Sequence, residues 1–170
     1  MLSLHDFFKA IEATPVGVFM RENVVAFPLV ESLHVLALTF VVGSVGMVDL
    51  RLLGLSARNH SVSKFSNEIV PITWFSFAVA ALTGTLLFTS KAVDYTHNFF
   101  FVGKMILMAL AGLNMALFEF FIFKGVKNWD IDTPTPLAAK VAASLSLCFW
   151  LGVIVFGRWI GFTVGGNFGN

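Results

Sequence analysis

Four long apolar runs dominate the chain. They cover about 25–50, 68–90, 98–123 and 137–163. Each supplies the ~20 residues that a spanning helix needs. Glu31, His34 and Asp49 interrupt the first run. The second has no charge between Glu68 and Lys91. The third contains Lys104 and Glu119, and the fourth contains Lys140 near its start and Arg158 near its end. Strand-like alternation is absent, and in lipid a helix satisfies its own backbone. The pattern predicts an all-α membrane protein: a four-transmembrane-helix bundle forming one domain over residues 1–170. Residues 3–13, SLHDFFKAIEA, add a short N-terminal amphipathic interfacial helix. Ser3 caps it, Leu4, Phe7, Phe8 and Ile11 share a face, and Pro15 and Gly17 end it.

Composition agrees with lipid as the main partner. The chain is 57% hydrophobic and 12% charged, more apolar than a soluble domain of this length can bury. A net charge of +1 without a basic block argues against nucleic acid. The single cysteine, Cys148, rules out an intrachain disulfide and a Cys-only metal site. Residues 1–22 lack the basic start of a secretory signal, so the first apolar run is expected to stay as an anchor.

Loop charge sets the expected orientation. Arg51, Arg58 and Lys64 fall between the first two runs, and Lys124 and Lys127 between the last two. The remaining connection and the tail are poorer in Lys and Arg. The positive-inside rule then puts the first and third connections in the cytoplasm and both termini outside.

The candidate chemistry lies in the spans. At ~1.5 Å rise per residue, His34 sits on the order of 10 Å below the outer boundary, and Lys104 and Arg158 at about 6–10 Å. Glu31 is shallower, and His97 lies just above Lys104. Intramembrane charges cost about 2.5–3.5 kcal/mol each, so they are expected to face the bundle and to be paired. One reading is a salt-bridge cluster, Glu31 with Arg158 or Lys104, that fixes helix packing. The other turns on the surplus of cation, which a bound dianion would satisfy. Haem b is such a group: its iron takes a neutral imidazole and its propionates take Arg or Lys near the boundary. His34 is the expected axial ligand, with His97 as a possible second. Lys104 and Arg158 are the expected propionate partners, with Trp159 beside them in the interfacial belt. Glu31 or a backbone carbonyl would orient the other nitrogen of His34. A lone histidine can equally be a hydrogen-bonded interior residue. Copper is the alternative metal, with His34 and His97 joined by Met20, Met105 and Met108.

Gly157, Gly161, Gly165 and Gly169 recur every four residues. On a continuing helix they form a smooth stripe for close packing, within the bundle, in a homo-oligomer or in a larger complex. Asn114 is expected to bond across helices. There is no P-loop, dinucleotide fingerprint, GxSxG or HExxH, so no residue is assigned to catalysis.

Several segments resemble an uncharacterised family of small bacterial membrane proteins. They are Thr14-Pro15, Phe27-Pro28, Glu31-Ser32-Leu33-His34-Val35-Leu36 and Val48-Asp49-Leu50-Arg51-Leu52-Leu53-Gly54, then Pro71-Ile72-Thr73-Trp74, Thr83-Gly84 and Lys104. More distantly, a His-bearing first helix, a following Gly and a Lys early in the third helix are similar to the copper-resistance D (CopD) and HemJ-type protoporphyrinogen oxidase group. That resemblance implies haem b at His34. Those oxidases carry a second histidine late in the Lys-bearing helix, where Asn114 and Glu119 stand here. The implied property is thus ligation rather than oxidase activity.

The expectation is a multi-pass protein of the bacterial inner membrane, with both termini periplasmic. It would bind haem b and pass electrons between the quinone pool or a partner and the periplasmic side. The rival expectations are a non-catalytic packing subunit of a larger membrane complex, and copper handling. The topology predicts that a reporter fused after Asn170 is active only outside the cytoplasm. Cytoplasmic activity of that fusion would reverse the orientation.

Overall fold

The computed structural model describes residues 3–56, 61–130 and 134–164. Arg58 and Gly165 lie outside them. The described residues are helical and contain no strand. Two short helices, α1 (Leu4–Glu12) and α2 (Pro15–Glu22), precede α3 (Ala26–Leu52) and α4 (Val62–Ser90). A six-residue helix, α5 (Ala92–His97), leads into α6 (Phe99–Leu117), and α7 (Leu137–Thr163) closes the chain. Four helical stretches are long and apolar enough to cross a membrane: α3, α4, α6 with its continuation, and α7.

Local chemistry explains most boundaries. Ser3 and Asp6 form a reciprocal capping box that starts α1. The sequence pattern takes Pro15 and Gly17 as a stop. In the structure Pro15 instead opens α2, with Thr14 as its cap, because proline is pre-shaped for a first helical turn. The charge at Glu68 suggests the start of the second span, yet α4 begins earlier, at Val62. The Ser61 hydroxyl accepts from the Lys64 N–H at 3.2 Å and sets that start. The third apolar run changes ladder: α6 gives way to a π turn at Phe118–Ile122 and a 3-10 stretch at Phe123–Asn128.

The spanning helices bury small side chains and expose large ones. Along α4 the buried positions are Val62, Ser66, Ile69, Ser76, Ala80, Thr83 and Ser90, while Phe75 is 73% and Leu82 65% exposed. On α7, Ala139, Ala142, Ala143 and Ser146 are buried and Leu151 is 60% exposed. A water-soluble core would hold the large residues. Here lipid solvates them, and small residues let the backbones approach closely.

α3 and α4 form the tightest pair, α6 and α7 the second, and α3 meets α7. The bundle is thus two antiparallel hairpins in the order α4, α3, α7, α6. Among the described residues α4 and α6 make no close backbone approach. Aromatic rings span that gap at one end: Phe88 and Phe101 stack with centroids 5.6 Å apart, and Tyr95 lies 5.4 Å from Phe101.

The two ends of the bundle differ. At the connection end, where α3 joins α4 and α6 leads to α7, Leu52, Val62, Val126, Trp129, Ala139 and Ala143 form a buried cluster. Asp130 ties the two connections together there. Its carboxylate accepts from the Ser61 hydroxyl at 2.6 Å, the Ser63 N–H at 2.7 Å and the Ser63 hydroxyl at 2.8 Å. Arg51 donates to the Asp130 carbonyl at 3.3 Å. Burial works against the Asp130 charge, but these bonds outweigh it and hold its carboxyl below the usual carboxylate range. The cross-link holds both connections together at one end of the bundle.

At the terminal end α1 and α2 fold against α4 and α5. Phe8 meets Phe88 edge-on at 6.1 Å, and Glu12 accepts from the Val93 N–H at 2.9 Å. Gly17 makes this docking possible. A Cβ there would lie 2.8 Å from the Thr89 carbonyl oxygen and 2.7 Å from that of Glu12. Gly17→Ala is therefore expected to lift α2 from α4, at a cost of about 1–3 kcal/mol. Protease nicking within residues 3–23 measures this. Unchanged resistance would mean that the docking is not needed to order the segment.

Candidate functional site

His34 lies in the seam between α3 and α4, half-buried. Its Nδ1 is 2.9 Å from the Ala80 carbonyl oxygen and 3.0 Å from Thr83 Oγ1. A carbonyl can only accept, so Nδ1 carries the proton and donates to Ala80. The Thr83 hydroxyl is directed to its own helix, donating to the Val79 carbonyl at 2.7 Å. In the neutral imidazole Nε2 then keeps its lone pair, and among the described residues no hydrogen-bond partner meets it. Gly84 makes room for the ring: a Cβ there would come within 3.0 Å of His34 Cε1. The Thr83-Gly84 pair thus supplies both a small surface and the turn of helix that fixes the tautomer.

Lys104 comes from the other hairpin. It is half-buried on α6, its stem runs along Gly157 of α7, and its charge acts on His34. A Cβ on Gly157 would sit 3.8 Å from Lys104 Cδ, Cε and Nζ, in ordinary contact. His34 and Lys104 are therefore the two members of the expected polar layer that the bundle interior brings together.

The other expected residues are placed differently. Glu31 is on an exposed face of α3, near Tyr95. Burial, then the Glu31 charge, push the Tyr95 phenol above its ordinary range, partly offset by a hydrogen bond with Ser90. His97 ends α5 on the surface, with Nδ1 2.9 Å from the Val93 carbonyl oxygen and 3.5 Å from Thr96 Oγ1. Its contacts stay within its own turn. Arg158 is exposed on α7 and lies 4.8 Å from the centre of the Phe162 ring. Trp159, 49% exposed, contacts Phe100 and Phe162. Among the described residues Glu31 forms no ion pair with Lys104 or Arg158. No group of three or more His, Cys, Asp or Glu side chains suited to a metal ion occurs among them either.

The glycine stripe divides. Gly157 packs inside the bundle against Lys104, whereas a Cβ on Gly161 would meet nothing within 4 Å. Asn114 bonds across helices as its mid-span position suggests, donating to the Ala142 carbonyl on α7 at 2.9 Å.

The pattern of charges in the sequence does not single out Asp49. The structure leaves it 6% exposed between α3 and α7. A second polar contact, Thr73 Oγ1 donating to Ser44 Oγ at 2.7 Å, joins α3 to α4. The signal for these groups is the spacing of Ser66, Thr73, Ser76, Thr83 and Ser90, small hydroxyl residues at intervals of seven, three, seven and seven that share one face of α4.

These features define a multi-pass helical membrane protein with an ionisable pair inside the bundle. The chain belongs to DUF6644, a family of unknown function, whose pattern matches residues 7–163. Nothing in that match ties it to the copper-resistance D or HemJ-type group. No curated protein and no solved structure matches the chain.

The divided stripe gives a contrast. Gly157→Leu is expected to displace the Lys104 stem and lower the melting temperature in detergent. Gly161→Leu is expected to leave the melting of the isolated bundle unchanged. Equal loss in both would mean that Gly161 packs against something outside this chain, and size measurement of the purified protein would detect it.

Proposed function

We propose that the domain holds a haem b with His34 as its axial ligand and serves electron transfer at the membrane. The observation that carries this reading is the state of the His34 ring. Its Nδ1–H is held by the Ala80 carbonyl, and Nε2 is left with its lone pair inside the bundle. Metal-ligating histidines commonly donate their second ring nitrogen to a carbonyl or carboxylate, which fixes ring orientation and raises basicity. The donor chemistry therefore fits.

Lys104 is the cation beside this ring, and we assign to it the contact with a propionate. The aromatic rings of Phe88, Phe101 and Tyr95 would shield the site from water at the terminal end. Arg158 and Trp159 face outward and are assigned to the membrane boundary, where a cation and an indole both favour the headgroup region. His97 is assigned no ligand role, since its ring is on the surface. When bound, the haem supplies one-electron chemistry; the chain positions the ligand and keeps water away.

The competing reading is a packing staple. The same Nδ1 contact and the ring over Gly84 also lock α3 to α4, as a structural histidine would. The two readings differ in one measurement. Wild-type protein from haem-sufficient cells is expected to show a Soret band that shifts on reduction. His34→Ala is expected to lose it. Lys104→Ala is expected to keep the band but weaken retention by about 1.5–3 kcal/mol, the range for a lost hydrogen bond to a charged group. Arg158→Ala is expected to leave it intact. A colourless wild type would end the haem reading and leave His34 as the staple.

A further inference from the structure

Among the described residues Asp49 is the only aspartate that lies in a spanning helix. It is 6% exposed, on α3 three residues before the helix ends at Leu52. Its carboxyl accepts a hydrogen bond from Ser146 on α7. Its Oδ2 is fully enclosed and, among the described residues, has no hydrogen-bond partner. Other polar side chains in the bundle seams are bonded across helices: Ser44 with Thr73, His34 with Ala80, Asn114 with Ala142.

We infer that Asp49 is a proton-binding site of the membrane domain, loaded from the end of the bundle that carries the α3–α4 and α6–α7 connections. The argument is one of satisfaction. A carboxylate needs donors at both oxygens, or a nearby cation, to persist away from water. One hydroxyl meets one oxygen here. α7 offers Ser146, and its Lys140 stands six residues away towards the start of that helix. On α4 the Thr73 hydroxyl is committed to Ser44, and on α6 the Asn114 amide is committed to Ala142. On α3 itself Arg51 is two residues on, and its Nη2 donates to the Asp130 carbonyl.

A proton on Oδ2 completes the group with no further ligand. A metal cation asks for more: such ions take about six oxygens, and among the described residues no group of three or more His, Cys, Asp or Glu side chains suited to a metal ion is found. Access depends on depth. Three residues correspond to ~4.5 Å of helix rise, so the site is within a few ångströms of the connection end. His34 lies on the opposite half of α3, fifteen residues away. The inference therefore stands whether or not His34 carries haem.

The test uses full-length protein in lipid nanodiscs, with aspartate carrying a carbon-13 carboxyl label. Infrared spectra at neutral pH are expected to show a label-sensitive carboxylic-acid band, since Asp49 alone among the described aspartates is enclosed in a spanning helix. The band is expected to fall on alkaline titration and return on reacidification. Asp49→Asn, which keeps shape and neutrality, is expected to abolish it. The wild type is expected to lose melting temperature as pH rises, and Asp49→Asn is expected to remove that loss. Absence of the band in folded wild type would overturn the inference, and that reading needs no variant. So would a band unchanged in Asp49→Asn. Stabilisation of wild type by sodium over choline at equal ionic strength, lost in Asp49→Asn, would replace the proton with a metal cation.

Discussion

The close seam between α3 and α4 is the constraint on which the rest depends. It exists because α4 presents Ser66, Ser76, Ala80 and Thr83 where a soluble helix would place large apolar residues. In lipid no hydrophobic force presses helices together, so association rests on packing and on a few polar contacts. Small side chains bring the backbones near enough for a histidine on one helix to reach a carbonyl on the other. A leucine at position 84 would fill the space that His34 occupies, and the tautomer argument would disappear with it. The seam is thus both the adhesive and the mould for the candidate site.

The second hairpin completes the interior that the first begins. α3 packs on α7, and α6 packs on α7 from the other side, so Lys104 enters the interior along Gly157. The polar groups then fall into two layers. One, with His34, Thr83 and Lys104, belongs to the terminal half. The other, with Asp49, Ser146, Ser44 and Thr73, belongs to the connection half. Buried Val41 stands between them on α3. A membrane helix keeps such groups only where neighbours meet their needs, and the two layers differ in how far that is achieved.

The spans are legible because twenty consecutive apolar residues have few other uses, and because lipid removes the ambiguity between a core helix and a surface one. The last span matches residue for residue, since Pro136 before it and the glycines after it are strong punctuation. The start of α4 is not legible: its first turn is polar, and its cap depends on Ser61, whose hydroxyl also binds Asp130 far along the chain. The second short helix escapes a sequence reading because Pro15 both stops the preceding helix and makes a good first residue for the next one. In the site, depth from the helix ends brings His34 and Lys104 to one level. Depth does not specify the angle around the helix axis, however, and that angle turns Arg158 and Glu31 outward. Asp49 is hidden for the same reason. Near a helix end it looks like an ordinary boundary charge, and only the position of α7 encloses it.

The Asp130 contacts join residues 67 and 69 positions apart, while each hairpin is made of contacts local in sequence. Each hairpin can therefore assemble as its two helices enter the bilayer, before the other exists. The Asp130 carboxylate has to wait. Until the third span has entered, Asp130 is not there to meet Ser61 and Ser63, and the start of α4 lacks one of its anchors. Closure of these bonds joins the second hairpin to the first, on the face where both connections emerge. A chain stalled at two helices exposes there a loose polar segment that the finished protein holds, which gives a surveillance protease a physical basis for telling one from the other.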